Sequence, residues 1–191
     1  MGGKMGKKVK NKMSTAKGPT LTRQMTEEEI QEQNTKLKYL EEEFNCMDVI
    51  GDNRLNYGEF VRLMRLLRYP TGHEGAKIIW LKQLGKNERS TMTKDEYVNL
   101  MTKDTTLEKL TSVWRCVYEE FDHDHSGWAS KQDVINGLEN SLGIPVKGTL
   151  KEKIDAMDEN GDGKIYYSNF LRMQLHLIQK QGSISHDTSA N

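Results

Sequence analysis

Twenty-eight basic and 28 acidic side chains among 191 residues give a formal net charge of zero. With 35% hydrophobic residues and no run near the ~18 apolar residues of a bilayer span, the composition points to one or two small helix-rich domains rather than a membrane-spanning chain. Two cysteines, Cys46 and Cys116, make no disulfide framework and are expected as partly buried, reduced thiols in the cytosol, and no apolar stretch follows the basic N-terminus as in a signal peptide.

The charge is unevenly placed. Lys4, Lys7, Lys8, Lys10, Lys12, Lys17 and Arg23 precede the first acidic residue, Glu27, leaving 21 basic against 28 acidic residues in the remainder. Residues 1–25 are therefore expected to form a disordered basic arm suited to an acidic protein surface, RNA or an anionic membrane, with no DNA specificity. The start, MGGKMGKK, offers Gly2 for myristoylation, although Gly6 stands where that motif prefers Ser or Thr.

Thr26 and Glu29 match a capping box and open a helix to about Met47. FVRLMRLLRYP predicts an amphipathic helix stopped near Pro70. AKIIWLKQL and EYVNLM predict two more helices flanking a loop. Thr105 and Glu108 suggest a cap for LEKLTSVWRCVYEEF, whose loop leads into DVINGLENSLGIP. Thr149 and Glu152 suggest a cap for LKEKIDAM, ahead of a loop and FLRMQLHLIQKQ. Four helix–loop–helix units at a regular period imply an all-α fold in two pairs. Residues 26–102 hold the first pair, 103–181 the second, and 182–191 a polar tail expected to be disordered.

Each loop fits a twelve-residue frame. Side-chain oxygens at positions 1, 3, 5, 9 and 12, with the carbonyl at 7, surround a hard cation at about 2.4 Å. Position 6 needs a positive φ, and an apolar residue at 8 bridges to the partner loop. Loop three, DHDHSGWASKQD, places Asp122, Asp124 and Ser126 at positions 1, 3 and 5, Gly127 at the turn, the Trp128 carbonyl at 7, Ser130 at 9 and Asp133 at 12. Loop four, DENGDGKIYYSN, places Asp158, Asn160 and Asp162 at 1, 3 and 5, Gly163 at the turn, the Lys164 carbonyl at 7 and Asn169 at 12.

On these two loops the chain resembles the EF-hand calcium-binding proteins, of the calmodulin, troponin C and sarcoplasmic types, over roughly residues 27 to 180. The resemblance implies four EF-hands in two pairs, joined by short β-bridges, with Ca²⁺ as the ligand. Loop three looks the strongest site. Its short Asp133 reaches the ion less easily with both oxygens, which favours Mg²⁺ as a competitor. In loop four Asn169 supplies one neutral oxygen where a bidentate carboxylate is usual, so affinity should fall toward or beyond ~10⁻⁴ M.

The first pair departs further. Loop one, DVIGDNRLNYGE, keeps Asp48, Asp52, Asn56 and Glu59, but Ile50 cannot coordinate and Asn53 replaces the turn glycine. Loop two, GKNERSTMTKDE, loses its first ligand to Gly85 and places Arg89 at position 5, leaving Asn87, Thr93 and Glu96. Bridges are expected between Leu55 and Met92 and between Ala129 and Ile165.

The scaffold is thus better kept than the metal chemistry. The expected function is a calcium-binding regulatory or adaptor subunit that clasps an amphipathic helix of a protein partner in an apolar groove. Met64, Leu67, Met101, Leu171 and Met173 are candidates for lining it, although each taken singly is expected in the core. Trp80, Trp114, Phe121 and Phe170 are expected in the core, and Trp128 facing solvent. Alternatives are a metal-independent structural subunit of a cytoskeletal or ciliary assembly and a Ca²⁺/Mg²⁺ buffer. No nucleophile–base set or phosphate loop suggests an enzyme. The expected location is cytoplasmic, with cytoskeletal or membrane association open.

Overall fold

A computed structural model of the chain describes residues 25–184. The arm before Met25, with Gly2, and the tail after Ile184 lie outside the described residues.

Helix α1 (Glu27–Met47) starts where its capping box requires: the Thr26 hydroxyl accepts from the Glu29 N–H at 3.2 Å, and Glu29 Oε2 accepts from the Thr26 N–H at 2.9 Å. Strand β1 (Arg54–Asn56) and α2 (Tyr57–Leu66) complete the first hand. The second is α3 (Gly72–Ile78), continued by a π-helical turn over Ile79–Gln83, then β2 (Thr91–Thr93) and α4 (Lys94–Lys103). The third hand enters through α5 (Thr105–Leu110) and α6 (Val113–Glu119), passes β3 (Ala129–Ser130), and leaves through α7 (Lys131–Asn136) and a π-helical turn over Gly137–Ser141. The fourth comprises α8 (Thr149–Met157), β4 (Lys164–Ile165) and α9 (Tyr167–Ile184), three residues beyond the expected boundary at 181.

Two expected helix starts differ. The third entering helix is capped by Asp104, whose carboxylate accepts from the Thr106 and Leu107 N–H groups, and it breaks at Thr111–Ser112. The break has a local cause. The Thr111 and Ser112 hydroxyls bond back to the Leu107 and Lys109 carbonyls, and Arg115 Nη2 donates to the Glu108 carbonyl at 3.0 Å. Helix α8 begins at Thr149 behind Gly148 with no side-chain cap, because Thr149 lies inside the helix instead of ahead of it.

The loops pair as expected. β1 and β2 are antiparallel with Leu55 opposite Met92, β3 and β4 with Ala129 opposite Ile165, and all four side chains are buried. The two pairs share one core. At its centre Glu43 of α1, fully buried, accepts from Arg115 Nη1 of α6 at 2.5 Å, from the Tyr97 hydroxyl of α4 at 2.6 Å and from the Tyr167 hydroxyl of α9 at 3.0 Å. Burial works against the Arg115 charge, but the Glu43 carboxylate together with Tyr97 and Tyr167 outweighs it and holds the guanidinium above its ordinary value. Trp114 Nε1 donates to the Leu66 carbonyl at 2.7 Å, a further tie between the pairs.

Helix α1 thereby lies against the second pair. Met64, Leu67, Met101 and Leu171 are buried in the core; only Met173 is half-buried. Trp80, Phe121 and Phe170 are core residues as expected, and Trp114 is half-buried with its ring edge-on to Phe170. Cys46 is half-buried, and burial pushes its thiol up to about 11; Cys116 is exposed, against expectation. No helix of the described residues is long and apolar enough to cross a membrane.

Candidate metal loops

Three of the four loops share one backbone. Positions 4 and 6 are left-handed in loop one (Gly51, Asn53), loop three (His125, Gly127) and loop four (Gly161, Gly163). Asn53 does at φ 58° what glycine does elsewhere, as expected of its short polar side chain. Loop two instead turns at Gly85, and neither Glu88 nor Ser90 is left-handed.

The position-12 residues all do a second job. Glu59, Glu96, Asp133 and Asn169 each sit at the third residue of an exiting helix and accept from the backbone N–H of position 9, at 2.8 to 2.9 Å. In loop four the acceptor is Asn169 Oδ1 and the donor Tyr166 N–H. An amide oxygen makes this bond as a carboxylate does, so Asn at position 12 lowers the charge of the loop without unseating the helix.

Loop three draws its ligands together. The Ser126 N–H reaches Asp122 Oδ1 at 2.9 Å and Asp124 Oδ1 at 3.1 Å, and the Ser126 hydroxyl lies 3.0 Å from the Trp128 carbonyl. Those bonds from Ser126 hold the Asp124 carboxyl below its ordinary range. Asp133 stays apart, on Ser130. Asp122, 1% exposed, is already satisfied: Oδ1 also accepts from the Ser126 hydroxyl at 3.1 Å, and Oδ2 accepts from the Gly127 N–H at 2.9 Å and the Tyr39 hydroxyl at 2.7 Å. Helix α1 grips this loop further. Thr35 Oγ1 and Gln31 Nε2 both donate to the His125 carbonyl at 3.0 Å. The Lys38 side chain lies so close to Gly127 that a Cβ there would collide with it. Trp128 is half-buried, with Lys164 Nζ 4.5 Å above its ring, not free toward solvent.

Loop four is less settled. Asp158 Oδ2 accepts from the Gly163 N–H at 3.2 Å and lies 3.5 Å from Lys131 Nζ, but Oδ1 is buried with no donor. Asn160 Nδ2 donates to Asp162 Oδ2 at 3.1 Å, and the Lys164 N–H to Asp162 Oδ1 at 2.8 Å. An orphaned buried carboxylate oxygen among amide and carboxylate neighbours is what a hard cation would complete, so this donor set fits one.

The first pair answers differently. In loop one, Asp48 spends its carboxylate on the Gly51, Asp52 and Asn53 N–H groups, and Ile50 is 69% exposed. In loop two, Lys86 Nζ donates to the Thr91 carbonyl and to Glu96 Oε1, each at 2.8 Å. These are the position-7 and position-12 oxygens, so an ammonium of the chain itself stands between two groups that the twelve-residue frame assigns to a metal. The Lys86 bond holds the Glu96 carboxyl below its ordinary range. The residues of loop two do not fit a divalent ion. Sequence reasoning found Arg89 and missed Lys86; the signal was a lysine beside a position 1 that has lost its ligand. Lys38 and Tyr39 carried no signal, since nothing local brings α1 to loop three. Among the described residues no group of three His, Cys, Asp or Glu side chains is arranged to hold a metal ion by itself.

No family model matches the chain. It is 30% identical over 145 residues to mouse "Calcium-binding protein 4", covering 72% of this chain and 52% of that protein. The Arabidopsis thaliana "Calcium-binding protein CML19" is 23% identical over 145 residues, covering 73% of this chain and 83% of the relative. "Troponin C, isoform 1" of Balanus nubilus is 35% identical over 78 residues, 40% of this chain and 49% of that one. The paired bridges at position 8, the recurrent left-handed turns and these relatives lead to one assignment: the chain belongs to the EF-hand calcium-binding proteins.

Proposed function

We propose that the chain is a calcium-responsive, non-enzymatic regulatory protein whose second pair takes the ion while the first pair keeps its shape without one. The relatives' names support calcium as the ion. The observation that carries the reading is Asp158 Oδ1, buried without a donor, where Asp122 has four. A buried acceptor left unpaired costs roughly 1–3 kcal/mol, more for a charged group, and a cation removes that cost. Asp122 offers no such gain. Loop four is therefore first to fill, with Asp158, Asn160, Asp162, the Lys164 carbonyl and Asn169 as ligands, and it is weak because Asn169 brings no charge. Asp122, Asp124, Ser126, the Trp128 carbonyl and Asp133 would hold an ion in loop three, where the short Asp133 leaves Mg²⁺ a competitor. A bound calcium would supply positive charge to these carboxylates; the chain's part is to hold each exiting helix through the bond from the position-9 N–H to Asp133 or Asn169.

A protein partner fits this role in a cytoplasmic setting. Met157, Met173 and Leu177 line a groove of about 420 Å³ between α8 and α9, the two helices that loop four joins. An apolar helix face of a partner suits it. Calorimetric titration of the full chain tests the order of sites. Asp158→Asn is expected to abolish the tightest calcium event, and Asn169→Glu to strengthen it at least about tenfold, about 1.4 kcal/mol. If Asp158→Asn leaves that event intact while Asp122→Asn removes it, loop three leads and the reading fails.

A further inference from the structure

A second groove, of about 660 Å³, runs between α1 and the α4–α5 junction, with no residue of the four loops in its lining. Its walls carry Glu29, Glu32 and Glu108, and Met25, Leu37 and Met101 also line it. Lys36 and Arg115 offset part of the charge through ion pairs to Glu108 at 2.8 and 3.8 Å, and Glu29 also accepts from the Thr26 N–H. The groove is thus amphipathic with an acidic rim, and Met25, 48% exposed, is both a lining residue and the point where the described chain begins.

The 24 residues that precede Met25 have the complementary character. They hold seven basic side chains and no acidic one, and Leu21 stands between Lys17 and Arg23. At ~3.3 Å per extended residue, Leu21 reaches about 13 Å from Met25, and Lys17 roughly twice as far. A tether this short gives an effective concentration on the order of millimolar, so even a contact too weak to form between separate molecules is populated.

We infer that this groove is the docking site of the chain's own N-terminal basic segment, with Leu21 over the apolar floor and Lys17 and Arg23 against the glutamates of the rim. The basic segment is then held by its own body in the free protein, and an outside acidic surface must compete with Glu29, Glu32 and Glu108 for it. The inference does not rest on calcium binding.

Methionine-methyl NMR of the full-length protein tests it, because Met25 and Met101 report from the groove. The expected result is that Lys17→Glu with Arg23→Glu shifts both methyl signals. About 1 M salt should move the unaltered protein the same way, since exposed ion pairs are screened within about 3 Å at that strength. Glu32→Lys alone should shift the signals as well, and combining it with Arg23→Glu should bring them back toward their starting positions. Signals that ignore both the Lys17/Arg23 reversal and salt overturn the inference. So do signals that move only when a synthetic peptide of residues 1–24 is added in trans, which would make the groove a site for an outside strand.

Discussion

Position 12 of each loop can serve two masters, and in all four loops it serves the exiting helix. The capping bond to position 9 survives as Glu59, Glu96, Asp133 and Asn169, whatever the charge. This was half legible in the sequence: the missing carboxylate at Asn169 could be read, its retained capping role could not, because that role appears only in the oxygen's direction. Lys86 lies at the opposite extreme, a residue given no role by the twelve-residue frame. Its ammonium bridges the Thr91 carbonyl and Glu96. Lys86→Met should lower stability by about 1 kcal/mol, the size of a charge-assisted bond discounted for the exposure of Glu96. The pH dependence has a definite sign. Glu96 titrates below its ordinary value when folded, so this stabilisation is full above the pKa of an unfolded glutamate and is lost as pH falls through the lower folded value. Thermal melts of both proteins from neutral to acid pH should converge; melts that stay equally far apart throughout would assign the effect to packing of the lysine stem.

Helices were legible where a periodic apolar face and a cap coincided, as in α1 with Thr26 and Glu29. They were misread where a hydroxyl had two possible duties. Thr105 and Thr149 looked like caps, yet both lie within their helices, and the cap of α5 is the residue before, Asp104. The bends were not legible at all. Thr111 and Ser112 split the third entering helix by bonding backward, and Arg115 adds a bond to the Glu108 carbonyl while its other terminal nitrogen reaches Glu43 of α1. The Asp104 cap also accepts from Gln83 Nε2 at 2.8 Å, so it ties the π-helical turn after α3 to the start of α5. Asp104→Ala should lower stability by about 1 kcal/mol, the usual loss for an N-cap. Hydrogen exchange should quicken at the Thr106 and Leu107 amides; unchanged protection at both would show that the cap is dispensable.

The molecule as a whole is built around a charge that no local pattern announces. Glu43, Arg115, Tyr97 and Tyr167 come from four helices and both pairs, so a reading of each hand alone could not place the core that the two pairs share. Arg115→Met should destabilise by roughly 3–5 kcal/mol, since it strands a buried carboxylate. Urea unfolding followed at Trp80 in the first pair and Trp114 in the second should then show one shifted transition, whereas two separated transitions would mean that the pairs are energetically independent. The same centre governs the order in which the chain can fold as it is made. The partners of Glu43 lie 54, 72 and 124 residues further along. At ~5–20 residues per second, Tyr167 leaves the ribosome roughly 6–25 s after Glu43. Throughout that interval the nascent first pair carries a carboxylate it cannot bury, next to an apolar face whose cover is still being translated. The first half is in this sense a client waiting for its second half. A ribosome-arrest force profile should accordingly record one late folding event near the completion of the fourth hand, in place of two events a hand-pair apart.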